Sequence, residues 1–123
     1  MFDSNSDFRD EEEIGRSIPN VGFWDKKNNR PASSLFSKCE SGCSVDRQGD
    51  RTETQLVDSL KANHKNSFAV AVLEFERIMS IGCSVIPEPV PGNPYHCNLC
   101  NEDGFSVINH SKGRKLAEAC KVV

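Results

Sequence analysis

The chain has 123 residues and a formal net charge of −3, with 37% hydrophobic and 27% charged residues. This length fits one domain, and the balance of apolar and charged residues excludes a wholly disordered chain. The longest apolar run, residues 68–73, is far shorter than the roughly 20 residues that a membrane span requires, so no membrane association is expected.

The N-terminal segment is strongly acidic. Residues 1–13 carry six acidic side chains against one arginine, a composition typical of solvated tails. We therefore predict a disordered acidic tail over 1–14 and a single domain over 15–123. The segment lacks the basic start and apolar centre of a secretory signal, which predicts a cytoplasmic protein.

The first half of the domain contains two weak strand patterns, one strong helix start and one strong strand. Residues 33–36 and 43–45 are predicted as short strands. Thr52 is followed three residues later by Gln55, a capping-box pattern that predicts a helix running to about Asn63. The continuous apolar run then predicts a buried strand over 67–73.

The second half alternates short strands with two helices. A helix is predicted over 74–80, ended by Gly82, and the closing helix over 111–122. Further strands are predicted over 83–86, 95–100 and 105–108. This mixture predicts an α+β fold, a small single domain in which a short mixed or antiparallel sheet packs with two or three helices.

The closing helix begins with residues suited to binding an anion. Ser111 is the predicted cap, and Lys112 falls on the apolar arc at the helix start, where free amides and the helix dipole favour negative charge. Arg30 and Ser33 precede a predicted strand and could face this helix start, with the arginine pairing with a phosphate or carboxylate.

His96 is the predicted catalytic histidine, because the proline-rich segment before it fixes its approach to a strand end. It could act as a general base, a proton donor or a ligand-orienting group, with Asp46 orienting it. The predicted cleft combines two catalytic residues with four ligand-binding residues. These are His96 and Asp46, and Arg30, Ser33, Ser111 and Lys112.

Six cysteines in a small chain permit two interpretations once a secreted disulfide framework is set aside. The favoured interpretation is that the cysteines are reduced and packed in the core and that the protein binds no cofactor. The alternative is a zinc site, because two cysteine pairs together offer four thiolates. Its ligands would be Cys39, Cys43, Cys97 and Cys100.

Four short polar motifs follow one another along residues 16–123. They are Arg30-Pro31-x-Ser33-Ser34, Gly42-x-Ser44-Val45-Asp46, Pro89-x-x-x-Asn93-Pro94-x-His96 and Ser111-Lys112-x-x-Lys115-Leu116-Ala117. In this order they resemble a family of small uncharacterised bacterial proteins of similar length. The resemblance implies that the polar residues are the shared features. It disfavours zinc, because apolar residues are usual in that pattern at the positions of Cys43 and Cys97.

The leading functional prediction is a cytoplasmic domain that binds an anionic ligand, a phosphate, nucleotide or carboxylate, at the cleft around His96. Phosphodiester or nucleotide chemistry is the reaction class that such a cleft favours, and whether the protein is an enzyme is left open. One alternative is a non-catalytic accessory, adaptor or immunity-type protein that docks on a larger partner through the acidic tail or through Phe23 and Trp24. A zinc-stabilised binding module is the other. Specific nucleic-acid binding is not predicted, because basic residues are few and no aromatic stripe separates them.

Overall fold

The computed structural model describes residues 2–37, 39 and 42–123. Within this part of the chain, strands and helices alternate irregularly. The strands are β1 (Glu13–Ile18), β2 (Trp24–Asp25), β3 (Arg30–Pro31), β4 (Cys43–Arg47), β5 (Ala69–Glu74), β6 (Cys83–Pro87), β7 (His96–Asn101) and β8 (Lys121–Val122). The helices are α1 (Ser34–Ser37), α2 (Glu53–Asn63), α3 (Phe75–Ile81) and α4 (His110–Ala119).

Six of the strands form one antiparallel sheet in the order β6-β7-β4-β1-β5-β8, while β2 and β3 pair separately. The predicted α+β class with an antiparallel sheet packed by helices is confirmed. The sheet has two different faces. On one face α2 packs on β1, β5 and β4, and on the other α1, α3 and α4 surround the larger part of the core.

The local signals that predicted helix ends are confirmed. Thr52 accepts a hydrogen bond from the backbone of Gln55, and the Gln55 side chain accepts one from Thr52, so the capping box opens α2. Gly82 ends α3 with φ of 93°, a left-handed conformation that glycine adopts without steric cost. None of the described helices is both long enough and apolar enough to span a bilayer.

Four local predictions differ from the structure. The closing helix, predicted to run to residue 122, ends at Ala119, and residues 121–122 form the edge strand β8. Residues 34–37 form the short helix α1 instead of a strand, and residues 105–108 form a loop. The central strand β1 lies where the sequence predicts the tail and an irregular lead-in. Gly15 on this strand faces α2 so closely that a Cβ atom there would lie 2.6 Å from Leu60 Cδ1. On the other side of β1, Arg16 lies between the core residues Ile14 and Ile18, so the strand lacks the apolar alternation that would have predicted it.

The acidic N-terminal segment packs onto the domain, in contrast to the predicted disordered tail over 1–14, of which Met1 lies outside the described residues. The Glu12 carboxylate is completely buried and accepts hydrogen bonds from Arg47 Nε and Nη2 at 2.8 and 2.9 Å. The Arg47 guanidinium in turn lies 3.8 Å from the centre of the Phe8 ring. A buried ion pair and an aromatic ring therefore hold a segment that composition alone assigns to solvent.

Candidate functional site

The two predicted catalytic residues come together on neighbouring strands. Asp46 on β4 and His96 on β7 are direct partners in the antiparallel register. Side chains alternate along a strand, and Val45 and Cys97 belong to the core on the side of α4. Asp46 and His96 therefore both lie on the opposite face, the face on which α2 packs.

Asp46 is a buried acid with a defined hydrogen-bond partner. It is 4% exposed, and its Oδ1 accepts a hydrogen bond of 3.1 Å from Asn93 Nδ2. The Oδ1 atom of Asn93 accepts the backbone N–H of Tyr95 at 3.1 Å, which fixes the amide orientation. Asn93, in the segment between β6 and β7, thus positions the carboxylate beside His96.

The backbone of Glu88 sets the tautomer of His96. His96 Nδ1 lies 2.8 Å from the Glu88 carbonyl oxygen, and the Glu88 N–H donates to the carbonyl of His96 at 2.9 Å. Because a carbonyl oxygen only accepts, Nδ1 carries the hydrogen in the neutral ring and Nε2 keeps its lone pair. This arrangement leaves Nε2 as the nitrogen that can accept a proton from a ligand.

A cleft of about 280 Å³ lies over this pair. Ser44, Asp46 and His96 line one side, and the C-terminal end of α2 lines the other with Asn63 and His64. A second depression of about 310 Å³ shares Asn63 and His64 with the cleft and adds Lys65. The two depressions adjoin at the end of α2, and the cleft is lined by one histidine from the sheet, His96, and one from the end of α2, His64. His64 is not predictable as a site residue, because nothing in the sequence indicates that the end of α2 faces β4 and β7.

The predicted ligand-binding residues lie elsewhere. Arg30 and Ser33 line a separate groove of about 310 Å³ beside α4, together with His110 and Arg114. Ser33 Oγ lies 3.2 Å from His110 Nδ1. The expected proximity of Arg30 and Ser33 to the start of the closing helix is therefore present, but this groove does not contain His96.

Lys112 is held on the side of the sheet opposite to His96. Its ammonium donates to Gly82 O at 2.8 Å and to Asn101 Oδ1 at 2.5 Å. Asn101 is five residues from His96 along β7, so strand alternation directs the two side chains to opposite faces. The prediction of a single cleft that unites His96 with Lys112 is therefore wrong.

Ser111 is not the cap of α4. The Asn109 side chain accepts the backbone N–H of Lys112 at 2.8 Å and is the N-cap, so the helix begins at His110. Ser111 is exposed in the first turn. Asparagine caps helices as well as serine does, and the sequence offered both residues within three positions.

The four cysteines of the zinc alternative do not converge. Cys97 faces the core on the side of α4, while Cys100, three residues later, points to the other side and donates to Ser84 O. Burial raises the pKa of Cys97 to about 12, which keeps it a thiol. Over residues 2–37, 39 and 42–123, no group of three or more His, Cys, Asp or Glu side chains could hold a metal ion.

Comparison with known proteins gives no match to a family model, to a curated protein or to a solved structure. The resemblance to small bacterial proteins therefore stays a prediction.

Proposed function

We propose that the protein binds a small polar ligand carrying a phosphate or carboxylate in the His96 cleft, and that His96 exchanges a proton with it. The observation that carries this proposal is the direct cross-strand pairing of His96 with the buried Asp46, together with the 2.8 Å contact that fixes His96 Nδ1 on Glu88 O. A histidine with one nitrogen fixed and the other basic has the arrangement of a general base.

The chemistry of the walls supports a phosphate ester as ligand. Opposite His96, His64 can donate a proton, and Lys65 in the adjoining depression supplies positive charge. In-line displacement at phosphorus requires a proton acceptor for the attacking oxygen and a donor for the leaving oxygen. His96 and His64, which line the same cleft, would supply these two groups. Phosphodiester or nucleotide chemistry is accordingly the reaction class we propose.

Ligand binding is tested by titrating inorganic phosphate, adenosine monophosphate and succinate while recording the ring resonances of the histidines by NMR. We expect the His96 signals to shift first. Loss of one charge-assisted hydrogen bond in the variant His96→Ala should weaken binding by about 10- to 100-fold. Hydrolysis of a generic phosphodiester, bis(4-nitrophenyl) phosphate, tests the reaction separately.

The matched control is His110→Ala, which removes a histidine from the groove on the other side of the sheet. It should leave binding unchanged. Equal effects of the two substitutions, or the absence of any His96 shift with all three ligands, would refute the proposal.

A second candidate, an accessory protein that docks on a larger partner, is supported by the loop after β7. Phe105 is 81% exposed and Val107 is 50% exposed. The Asp103 carboxylate accepts the backbone N–H groups of Phe105 and Ser106 at 3.0 and 2.8 Å, so the turn that presents the ring is well defined. By contrast Phe23 and Trp24 pack against the core, which does not favour them as docking residues.

The two candidate functions predict different effects of the same two substitutions. Capture of a partner from the cells that make the protein should be lost with Phe105→Ser and retained with His96→Ala if docking is the function. Loss of the biological effect with His96→Ala and its retention with Phe105→Ser would favour the ligand site. We also infer a cytoplasmic location, which is supported by six cysteines that are all free thiols.

A further inference from the structure

Two cysteines meet at the end of α1, away from the proposed ligand site. Cys39 follows this helix and Cys43 opens β4. Both thiols donate to the same acceptor, the Leu35 carbonyl oxygen, with Sγ to O distances of 3.6 and 3.7 Å. The Gly42 N–H also donates to Cys39 O at 3.1 Å, close to Cys43 along the chain.

A fixed positive charge lies beside one of the two thiols. Arg16 Nη2 is 3.5 Å from Cys39 Sγ. The same guanidinium donates from Nε to Leu35 O at 2.8 Å and from Nη1 to Ser44 O at 2.7 Å. Arg16 is thus anchored by two backbone carbonyls, and its third nitrogen, Nη2, donates to Cys39 Sγ.

The two thiols differ in exposure and acidity. Cys39 is half-buried, while Cys43 is 1% exposed. The neighbouring Cys43 thiol, which can turn its hydrogen from Leu35 O to the Cys39 sulfur, lowers the pKa of Cys39 to about 7, against the effect of burial and with help from the Arg16 charge. The hydrogen bond to Cys39 and burial both raise the pKa of Cys43. One thiol is therefore a reachable thiolate and its neighbour a protonated thiol, the combination expected of an attacking and a resolving cysteine.

We propose that Cys39 and Cys43 form a redox-active pair that a peroxide oxidises to a disulfide. The Cys39 thiolate attacks one peroxide oxygen, the O–O bond breaks, and the departing hydroxide takes a proton to become water. Cys39 is then a sulfenic acid. Cys43 Sγ attacks that sulfur, the S–O bond breaks, and the hydroxyl leaves with the Cys43 proton as a second water. The pair has lost two electrons to the peroxide, and an external dithiol restores it by thiol–disulfide exchange.

The other four cysteines do not share this setting. Burial raises the pKa of Cys83, Cys97 and Cys100, and it raises that of Cys120 to about 11. Among the described residues, Cys39 is the one cysteine whose sulfur accepts a hydrogen bond from an arginine. Oxidation should accordingly be selective for the pair.

The sequence supplies a direct assay. Trypsin cleaves after Lys38 and Arg47, and the peptide 39–47 contains Cys39 and Cys43 and no other cysteine. After treatment with stoichiometric hydrogen peroxide and blocking of free thiols with N-ethylmaleimide, mass spectrometry should find this peptide two hydrogens lighter and unblocked. The peptide containing Cys120 should be blocked. In Cys43→Ser, dimedone should label Cys39 as the trapped sulfenic acid.

The rate at which the thiols of the reduced protein are alkylated provides an independent measurement. Alkylation of Cys39 by iodoacetamide should be half-maximal near pH 7. At that pH it should run about three- to fourfold faster than alkylation of an ordinary thiol, because the larger thiolate fraction outweighs its weaker nucleophilicity. Arg16→Gln should move the half-maximum to higher pH.

A fully blocked 39–47 peptide after peroxide treatment, or a Cys39 profile that follows an unperturbed thiol, overturns the proposal. These measurements do not depend on the His96 cleft, so either proposal can fail alone.

Discussion

The substitution Glu12→Gln tests whether the acidic N-terminal segment is part of the folded domain. The Glu12 carboxylate is completely buried and accepts from Arg47 Nε, from Arg47 Nη2 and from the Gly49 N–H at 2.8 to 2.9 Å. Glutamine has nearly the same shape, so the change removes the charge and reverses one hydrogen-bonding group without opening a cavity.

The expected cost follows from the state of Arg47 after the change. The guanidinium is 1% exposed and would remain charged in a site without its carboxylate. Breaking one partner of a buried ion pair costs about 3 to 5 kcal/mol. The Arg47 guanidinium still donates to Ser6 O and Asp7 O and lies on the Phe8 ring. We therefore expect the lower end, a loss of about 3 kcal/mol in the free energy of unfolding.

Urea denaturation at pH 7, followed by circular dichroism, measures this loss. The matched control is Glu11→Gln, since the Glu11 side chain is 71% exposed and its contact with Arg9 is at the surface. It should cost less than about 0.5 kcal/mol. If Glu12→Gln cost no more than the control, the packing of residues 2–12 against Arg47 would be refuted.

The same pair predicts how stability depends on pH. Burial acts to raise the pKa of Glu12, but the hydrogen bonds from Arg47 and Gly49 and the Arg47 charge outweigh it and lower that pKa from 4.5. A folded-state pKa below the unfolded value contributes stability that is complete above the unfolded value and is lost as pH falls through the folded one. The wild type should therefore lose stability below about pH 4.5 more steeply than Glu12→Gln. Parallel acid curves for the two proteins would contradict the assignment.

Three further substitutions are expected to act on packing, capping and a partly buried amine, each measured by urea denaturation. Gly113→Ala should cost about 1 to 3 kcal/mol, because its Cβ would lie 2.9 Å from the backbone oxygen of Ser33. Alanine otherwise favours helices over glycine, so a gain in stability would contradict the close approach of α4 to α1. Thr52→Ala should cost about 1 kcal/mol by removing the cap of α2, and Thr52→Ser should restore most of it. Lys112→Met should cost about 1 kcal/mol, because it leaves two partly buried acceptors, Gly82 O and Asn101 Oδ1, without their donor. It should leave phosphate binding at His96 unchanged, and weakened binding would revive a shared cleft.

Local chemistry was enough to predict several elements. The capping box at Thr52 and the left-handed Gly82 act within a few residues of sequence, so they predicted the start of α2 and the end of α3. The apolar run before Glu74 predicted β5, because a strand buried between helices on both faces needs no alternation. The central strand β1 was missed, since Arg16 interrupts its apolar side and Gly15 is required on the other side by the close approach of α2.

The candidate site was predictable in its chemistry and only partly in its composition. The sequence alone identified His96 and Asp46 as residues able to exchange or orient a proton, and it identified Lys112 as a cation near the start of a helix. Tertiary structure decided which of them meet. The register of β4 with β7 brings Asp46 to His96, and the two-residue period of β7 directs Lys112, bound to Asn101, to the other face. Such pairings depend on contacts between residues distant in sequence, and the chain's local pattern does not encode which face of a shared sheet two helices will cover.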